Sequence, residues 1–398
     1  MHSDVEAARM RRTAVASAAL AAVLSAASAE AVEWRSTPAV TVTTGYDDNI
    51  NLAPTDERAT ATSTLTAGAD IAARDESFSF DFQPQVRAVR YEDEIAEDRN
   101  DAFATLSAVW MRERQQWSLG GRYTHESTLT SGFEDTGLLI ADVDRIESGL
   151  NAGWVLRAGE RGTYTVGANA SRTRYGDTVL GYSDYDYDVI QAGYTLSTGT
   201  RSSWRFGASE SLVHTIDTGV EQRSTSLSAA WTHVFSPQLT VRLGVGVFDV
   251  STDRPAPRAS EALEALEALD DAAPAPSFDF SIERRWERWT LGARGARDVR
   301  PDGRGRFVRD DSVQVDVDRR VTQRLTVGAS LLAARNIDSV LPKDLASRDF
   351  GQVGVHARLS VGQRWWVSCS VDERAQEAAW WPRSSGMVSQ IAAEYRGR

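Results

Sequence analysis

Apolar and polar residues alternate along most of this chain with a period of two. The stretch Asp349–Arg374 shows the pattern most clearly. Val353, Val355, Ala357, Leu359 and Val361 take one parity, while Gln352, Gly354, His356, Arg358 and Ser360 take the other. After Gly362-Gln363-Arg364, the residues Trp365, Val367, Cys369 and Val371 alternate with Ser368, Ser370 and Asp372. Successive side chains of a strand point to opposite faces, so this segment predicts a hairpin with one apolar and one hydrophilic face. Each arm has about ten residues, the length with which a tilted strand crosses a bilayer. A water-soluble sandwich gives the same period, so the reading depends on repetition along the chain.

The repetition is extensive. Leu239, Val241, Leu243, Val245 and Val247 oppose Thr240, Arg242, Gly244 and Gly246; Val313, Val315 and Val317 oppose Gln314, Asp316 and Asp318; Leu65, Ala67, Ala69 and Ile71 oppose Thr66, Gly68 and Asp70. Eighteen strand candidates fill residues 38–396, with sixteen as the alternative if one pair is mis-split. Links after even-numbered strands are short, as at Asp75-Glu76, Arg114-Gln115, Ser236-Pro237 and Val321-Thr322. Links after odd-numbered strands are longer and often acidic, as at 47–59, 92–98, 127–142 and 251–275. Short turns at one end and long loops at the other are the signature of a bacterial outer-membrane barrel, with the turns in the periplasm. Closure leaves no sheet edge and satisfies every backbone group in lipid. The predicted fold is all-β: a transmembrane antiparallel up-and-down β-barrel of eighteen strands, with both termini periplasmic.

Aromatic residues sharpen the picture. Trp117, Trp204, Trp289 and Trp365 follow short turns, Trp110 and Trp286 precede them, and Trp154 closes an even strand. An indole suits a membrane interface, where its ring is half buried and its N–H is wet, so these seven form a predicted girdle. Tyr46, Tyr91, Tyr123 and Tyr175 mark the opposite ends of their strands, beside the long loops.

Arg9, Arg11 and Arg12 precede an apolar run from Thr13 to Ala27 and the small residues Ala27-Ser28-Ala29. That is the layout of a secretory signal peptide over residues 1–29. The expected organisation is then a short periplasmic segment at 30–37 and a barrel over 38–398, with a long loop at 251–275. A net charge of -12 with no basic stripe excludes nucleic acid as a partner. The single cysteine excludes an internal disulfide.

A barrel of this size encloses a lumen wide enough for an aqueous channel. The parity places Asp70, Arg122, Glu147, Asn151, Arg172, Arg242, Asp316, Asp318, His356, Arg358 and Asp372 on its wall. Such a mixed lining suits a neutral or weakly charged hydrophilic cargo. In the loop at 251–275, Leu263, Leu266 and Leu269 recur at every third position with glutamates between, which predicts a short amphipathic helix. Glu261, Glu264, Glu267 and Asp270 would line a constriction if it folds inward. Asp47, Asp48, Asn49 and Asn51 form an oxygen-rich cluster at a loop mouth, a composition that also suits simple solvation. No HExxH or nucleophile-elbow pattern is present, so neither an enzyme nor a cofactor or metal is expected. His125 and Ser127 share a strand face and are similar to the pair of the outer-membrane lipid A deacylases, which are much smaller barrels; chance pairing in a serine-rich strand is the competing reading.

The segment Thr44-Gly45-Tyr46-Asp47-Asp48-Asn49-Ile50-Asn51-Leu52 resembles the end of the first strand in a proteobacterial family of β-barrel porins found with exopolysaccharide and exosortase systems. The resemblance covers about ten residues and brings no catalytic residues with it. It implies an outer-membrane channel that exports a secreted polysaccharide, with outer-membrane lipid, the polymer, and periplasmic and inner-membrane export components as partners. A diffusion porin for small hydrophilic solutes is the alternative, and a plugged polysaccharide-anchoring or enzymatic barrel the third reading.

Overall fold

The computed structural model describes residues 32–92, 96–129, 142–176, 182–253, 274–338, 347–378 and 381–397. The expected signal peptide and the acidic segment carrying Glu261, Glu264, Glu267 and Asp270 lie outside the described residues. In chain order the strands are β1 (Glu33–Asp47), β2 (Thr60–Arg74), β3 (Phe78–Tyr91), β4 (Arg99–Met111), β5 (Gln115–Ser127), β6 (Asp144–Ala158), β7 (Gly162–Tyr175), β8 (Tyr185–Ser197) and β9 (Ser202–Thr215). They continue as β10 (Glu221–Ser236), β11 (Leu239–Asp253), β12 (Ala275–Arg285), β13 (Trp289–Pro301), β14 (Phe307–Arg320), β15 (Leu325–Asp338), β16 (Ser347–Ser360), β17 (Trp365–Ala378) and β18 (Trp381–Arg396).

Each strand pairs antiparallel with its neighbours in sequence, and β1 closes on β18 from Ala39↔Arg396 to Asp47↔Val388. The result is a closed eighteen-strand barrel. Two expected boundaries are corrected. Residues 33–37, read as a periplasmic segment, extend β1 in register with β2 from Glu33↔Arg74 onward, because the C-terminal end of β2 offers them a ladder of backbone partners. The 251–275 loop is shorter than expected, since β11 runs to Asp253 and β12 begins at Ala275.

Residues opposed in register share a face, so each row of side chains can be followed around the wall. The outward row carries Val42, Leu65, Leu150, Ile190, Val245, Leu331, Val355 and Ile391, all well exposed. In water such a surface would be an aggregation site; covered by acyl chains it is the driving force for insertion. Trp110, Trp117 and Trp154 oppose one another across three strands on that same outward face, with the last two rings 5.9 Å apart. Trp204 opposes Trp231, Trp289 and Trp286 flank one short turn, and Trp365 lies 5.1 Å from Tyr395. All seven girdle residues therefore sit beside the short turns. At the other end, Tyr46 and Tyr123 face outward. Tyr91 and Tyr175 do not: both are on the inward row, where they pack beneath loops that fold into the mouth.

The strands are longer than the membrane requires. A 14-residue strand such as β16, tilted by about 40°, rises about 36 Å, against an apolar band of about 25 Å. The excess of about 10 Å projects beyond the hydrocarbon. Outward-facing charge is tolerated there, and Arg297, Asp311, Arg335 and Asp349 form a cross-strand chain at that level, from β13 to β16.

Candidate functional site

The lumen wall holds most of the charged residues expected on it. Asp70, Arg122, Glu147, Asn151, Arg242, Asp316, Asp318, His356, Arg358 and Asp372 lie on the inward row. Arg172 is a correction. It opposes Ser148 and Asp186, next to the outward Leu150–Ala170 pair, so it faces away from the lumen. Its guanidinium binds Asp186 through Nε at 2.8 Å and Nη2 at 3.0 Å. The alternation of β7 already placed Arg172 with Tyr164 and Val166. Its charge is accommodated because that part of the strand stands above the lipid.

Charged groups on the inner wall bond along it, to neighbours on the same strand or one or two strands away. Arg242 Nε lies 2.8 Å from Asp279, His356 Nε2 is 3.0 Å from Asp318, and Arg358 Nη2 donates to Glu394 at 3.1 Å. Gln352 donates to Asp372 at 3.1 Å, Gln314 to Asp316 at 3.0 Å, and Arg145 to Glu147 at 2.8 Å. Arg122 reaches Thr124 at 3.3 Å. The Asp318–His356 contact crosses the intervening strand over Gly328, where a Cβ would fall 2.5 Å from both side chains. Ion pairing along the wall offsets several of these charges, as at Arg242–Asp279, Arg358–Glu394 and Arg145–Glu147, while Arg122, Asp316 and Asp372 bond neutral side chains, which leaves a hydrophilic surface of mixed charge. Between β5 and β13 a lumen cavity of about 810 Å³ is lined by small and neutral polar groups, among them Ser118, Asn151, Asn169, Gln191, Ser209 and Ser226, together with the charged Arg205, Arg242, Asp279 and Asp298.

The packed core is at the extracellular mouth. Among the described residues, two loops fold into it. The link between β1 and β2 sends Leu52, fully buried, against Leu129, Ala334 and Phe350, with Ile50, Tyr91 and Leu332 around them. Asn49 holds the loop's shape: its amide donates to Ala53 O at 2.9 Å and Ser385 O at 3.0 Å, and its Oδ1 accepts from Ala53 N. Gln376 donates to Leu52 O at 3.0 Å, and Asp48 accepts the Met387 N–H at 2.6 Å. Asp47 pairs with Arg374 at 2.5 Å. The oxygen cluster at 47–51 is thus spent on fixing the loop to β17 and β18. Among the described residues no group of three or more His, Cys, Asp or Glu is arranged to hold a metal.

The second element is the hairpin tip at 302–306, between β13 and β14. It reaches β8, β9 and β10 on one side: Ser183 N donates to Gly303 O at 3.1 Å, Thr215 Oγ1 to Gly305 O at 2.7 Å, and Phe307 N to Gln222 Oε1 at 2.7 Å. On the other side Arg348 of β16 donates to Asp302 at 3.0 Å, with side chains 5% and 0% exposed. Strands β8 and β16 are eight positions apart in an eighteen-strand ring, so the hairpin spans the mouth nearly from wall to wall. Phe307, Val213 and Tyr185 pack together under it. Gly305 has φ 66° and sits where a Cβ would lie 2.9 Å from Tyr185 Cβ.

Asp302, Arg348 and Phe307 escaped the sequence reading because a five-residue link looks like an ordinary turn. The Gly303-Arg304-Gly305 run was the available signal. Of the pair His125 and Ser127, the Ser127 hydroxyl bonds Asp142 and accepts the Leu129 N–H at 3.0 Å, closing the next loop.

No family model matches the chain, and no curated protein matches it. Its fold is similar to two solved structures from Pseudomonas aeruginosa. OccK8 (OprE) superposes with a TM-score of 0.50 at 9% identity, covering 92% of this chain and 98% of that one. OccK2 (OpdF) does so with a TM-score of 0.50 at 10% identity and the same coverages of 92% and 98%. At such identities the likeness is one of fold. With the lipid-facing belt and the aromatic girdle, it identifies the chain as an eighteen-strand β-barrel of the Gram-negative outer membrane, with porin architecture.

Proposed function

We propose that this barrel is a passive channel for small hydrophilic solutes, restricted at its extracellular mouth, and that it carries no catalytic activity. The observation that supports this most directly is the combination of a hydrophilic lumen of mixed, partly paired charge with the two described loops packed across one end. Solutes that fit between the loops pass; larger ones do not. Export of a polysaccharide is the rival. A continuous polymer would have to displace the 48–59 loop and the 302–306 hairpin together, breaking their buried contacts. The segment that resembles polysaccharide-associated porins is the same 48–59 loop and its approach, and here its side chains serve to seat that loop.

The test compares a deletion strain with its complemented parent for uptake of a small neutral sugar and for surface and secreted polysaccharide. Reduced uptake with normal polysaccharide is the expected result. Lost polysaccharide with unchanged uptake would overturn the proposal and point to export partners in the periplasm and inner membrane.

A further inference from the structure

Trp365 and Trp366 open β17 on opposite faces. Trp365 takes the outward position against Tyr395, which is enough to anchor the strand at the interface. Trp366 opposes Glu394 and faces the lumen, on the row of Arg358 and Arg396. Among the strand tryptophans whose side chains are described, it alone lies on the inward row. A large apolar ring on a wet wall is costly unless something covers it.

Its surroundings are built. Arg358 and Arg396 each hold a guanidinium carbon 5.7 Å from the ring centroid. Both bond the Glu394 carboxylate, Arg358 at 3.1 Å. Each guanidinium has five N–H donors, so donors remain on both for a ligand. The arginines are 49% and 50% exposed, open to the lumen. Beside the ring is a recess of about 400 Å³ lined by Trp366, Arg396, Arg35, Thr37, Asp70 and Gln363. Within the recess Arg35 and Arg396 face one carboxylate, Asp70, while Arg358 and Glu394 pair beside it, so one positive charge is in excess.

An aromatic face flanked by donors, acceptors and an amide is complementary to a ring with an apolar C–H face and hydroxyls around its edge. We infer that this recess, at the periplasmic end of the lumen, is a binding subsite for a pyranose sugar ring in transit, with a carboxylated sugar preferred over a neutral one. Trp366 supplies the stacking platform. Arg35, Arg358 and Arg396 address hydroxyls and the carboxylate, and Asp70 and Gln363 accept or donate at the opposite edge. The inference names a solute class for the channel proposed above and depends on that reading for its biological meaning.

Isothermal titration of the full-length barrel in detergent with maltohexaose and with trigalacturonate measures binding whether or not the mouth conducts. Both sugars are expected to bind, trigalacturonate more tightly. Trp366→Ala should weaken both by about ten-fold, the size of one aromatic contact, and Trp366→Phe should keep most of the affinity. The Arg358→Gln/Arg396→Gln pair should abolish the preference for the acid. Barrel integrity is followed by circular dichroism and heat-modifiable gel mobility. No saturable binding by the intact barrel, or unchanged affinity in folded Trp366→Ala, would overturn the inference. Single-channel recording separates the two readings: conductance without sugar binding removes the subsite and keeps the channel, whereas sugar binding without conductance does the reverse.

Discussion

Removing the Arg348 guanidinium should unseat the hairpin that crosses the mouth. In Arg348→Ala the Asp302 carboxylate, fully buried, keeps only the N–H groups of Arg304 and Arg306, at 2.9 and 3.2 Å. Deleting one partner of a buried ion pair costs about 3–5 kcal/mol, because the other charge is left without compensation. Asp302 can escape that cost if the hairpin lifts into water. What resists lifting is three hydrogen bonds to the far wall, each contributing about 1 kcal/mol, and the burial of Phe307, about 2–3 kcal/mol. The loss is therefore comparable to the remaining hold. A shift of 3 kcal/mol raises the lifted population by roughly two orders of magnitude. Arg304 and Arg306 make the event visible, since a lifted hairpin offers both to trypsin. The intact barrel should resist cleavage at these positions, and Arg348→Ala should be cut there, as read from fragment masses, with a rise in single-channel conductance. Adding Asp302→Asn to Arg348→Met removes the stranded charge and should restore protection. If Arg348→Ala remains as resistant as the parent, with unchanged conductance, the ion pair does not hold the hairpin.

Three further outcomes are expected. Gly305→Ala places a Cβ at φ 66° and 2.9 Å from Tyr185 Cβ; it should cost about 1–2 kcal/mol and expose the same trypsin sites, and a protected variant would show that the backbone tolerates the methyl group. Val355→Arg, in the apolar belt, should cost about 2–4 kcal/mol in urea unfolding from vesicles, whereas Arg297→Ala, in the charged chain above the belt, should cost less than about 1 kcal/mol; equal costs would contradict the assigned heights. Trp117→Ala removes a ring 5.9 Å from Trp154 and should lower stability by about 1–2 kcal/mol in the same assay, while an unmoved midpoint would deny it an anchoring role.

Period-two alternation, turn lengths and aromatic positions were enough to read the barrel, because each is a local property of the chain. A strand facing lipid on one side and water on the other must alternate, and a short turn must be flanked by antiparallel neighbours. That logic placed nine of the ten charged lumen candidates on the inner row. It misplaced Arg172, whose phase in β7 is that of the outward Val166 and Ala170. Whether an outward arginine is tolerable depends on its height above the hydrocarbon, which strand length and tilt decide together. Trp366 was within reach of the same parity, since it falls on the phase of Ser368, Ser370 and Asp372.

The contacts that close the mouth were not legible. They join Asn49 to Ser385, Phe307 to Gln222 and Arg348 to Asp302, across 336, 85 and 46 positions of sequence. No periodicity reports such distances, and a short link such as 302–306 has the same composition whether it lies outside the barrel or across it. The sequence by itself determined the wall, since each strand's two faces are encoded in adjacent residues. Only closure of the ring, which brings β8 and β16 to opposite sides of one opening, decided what stands in the way of a solute.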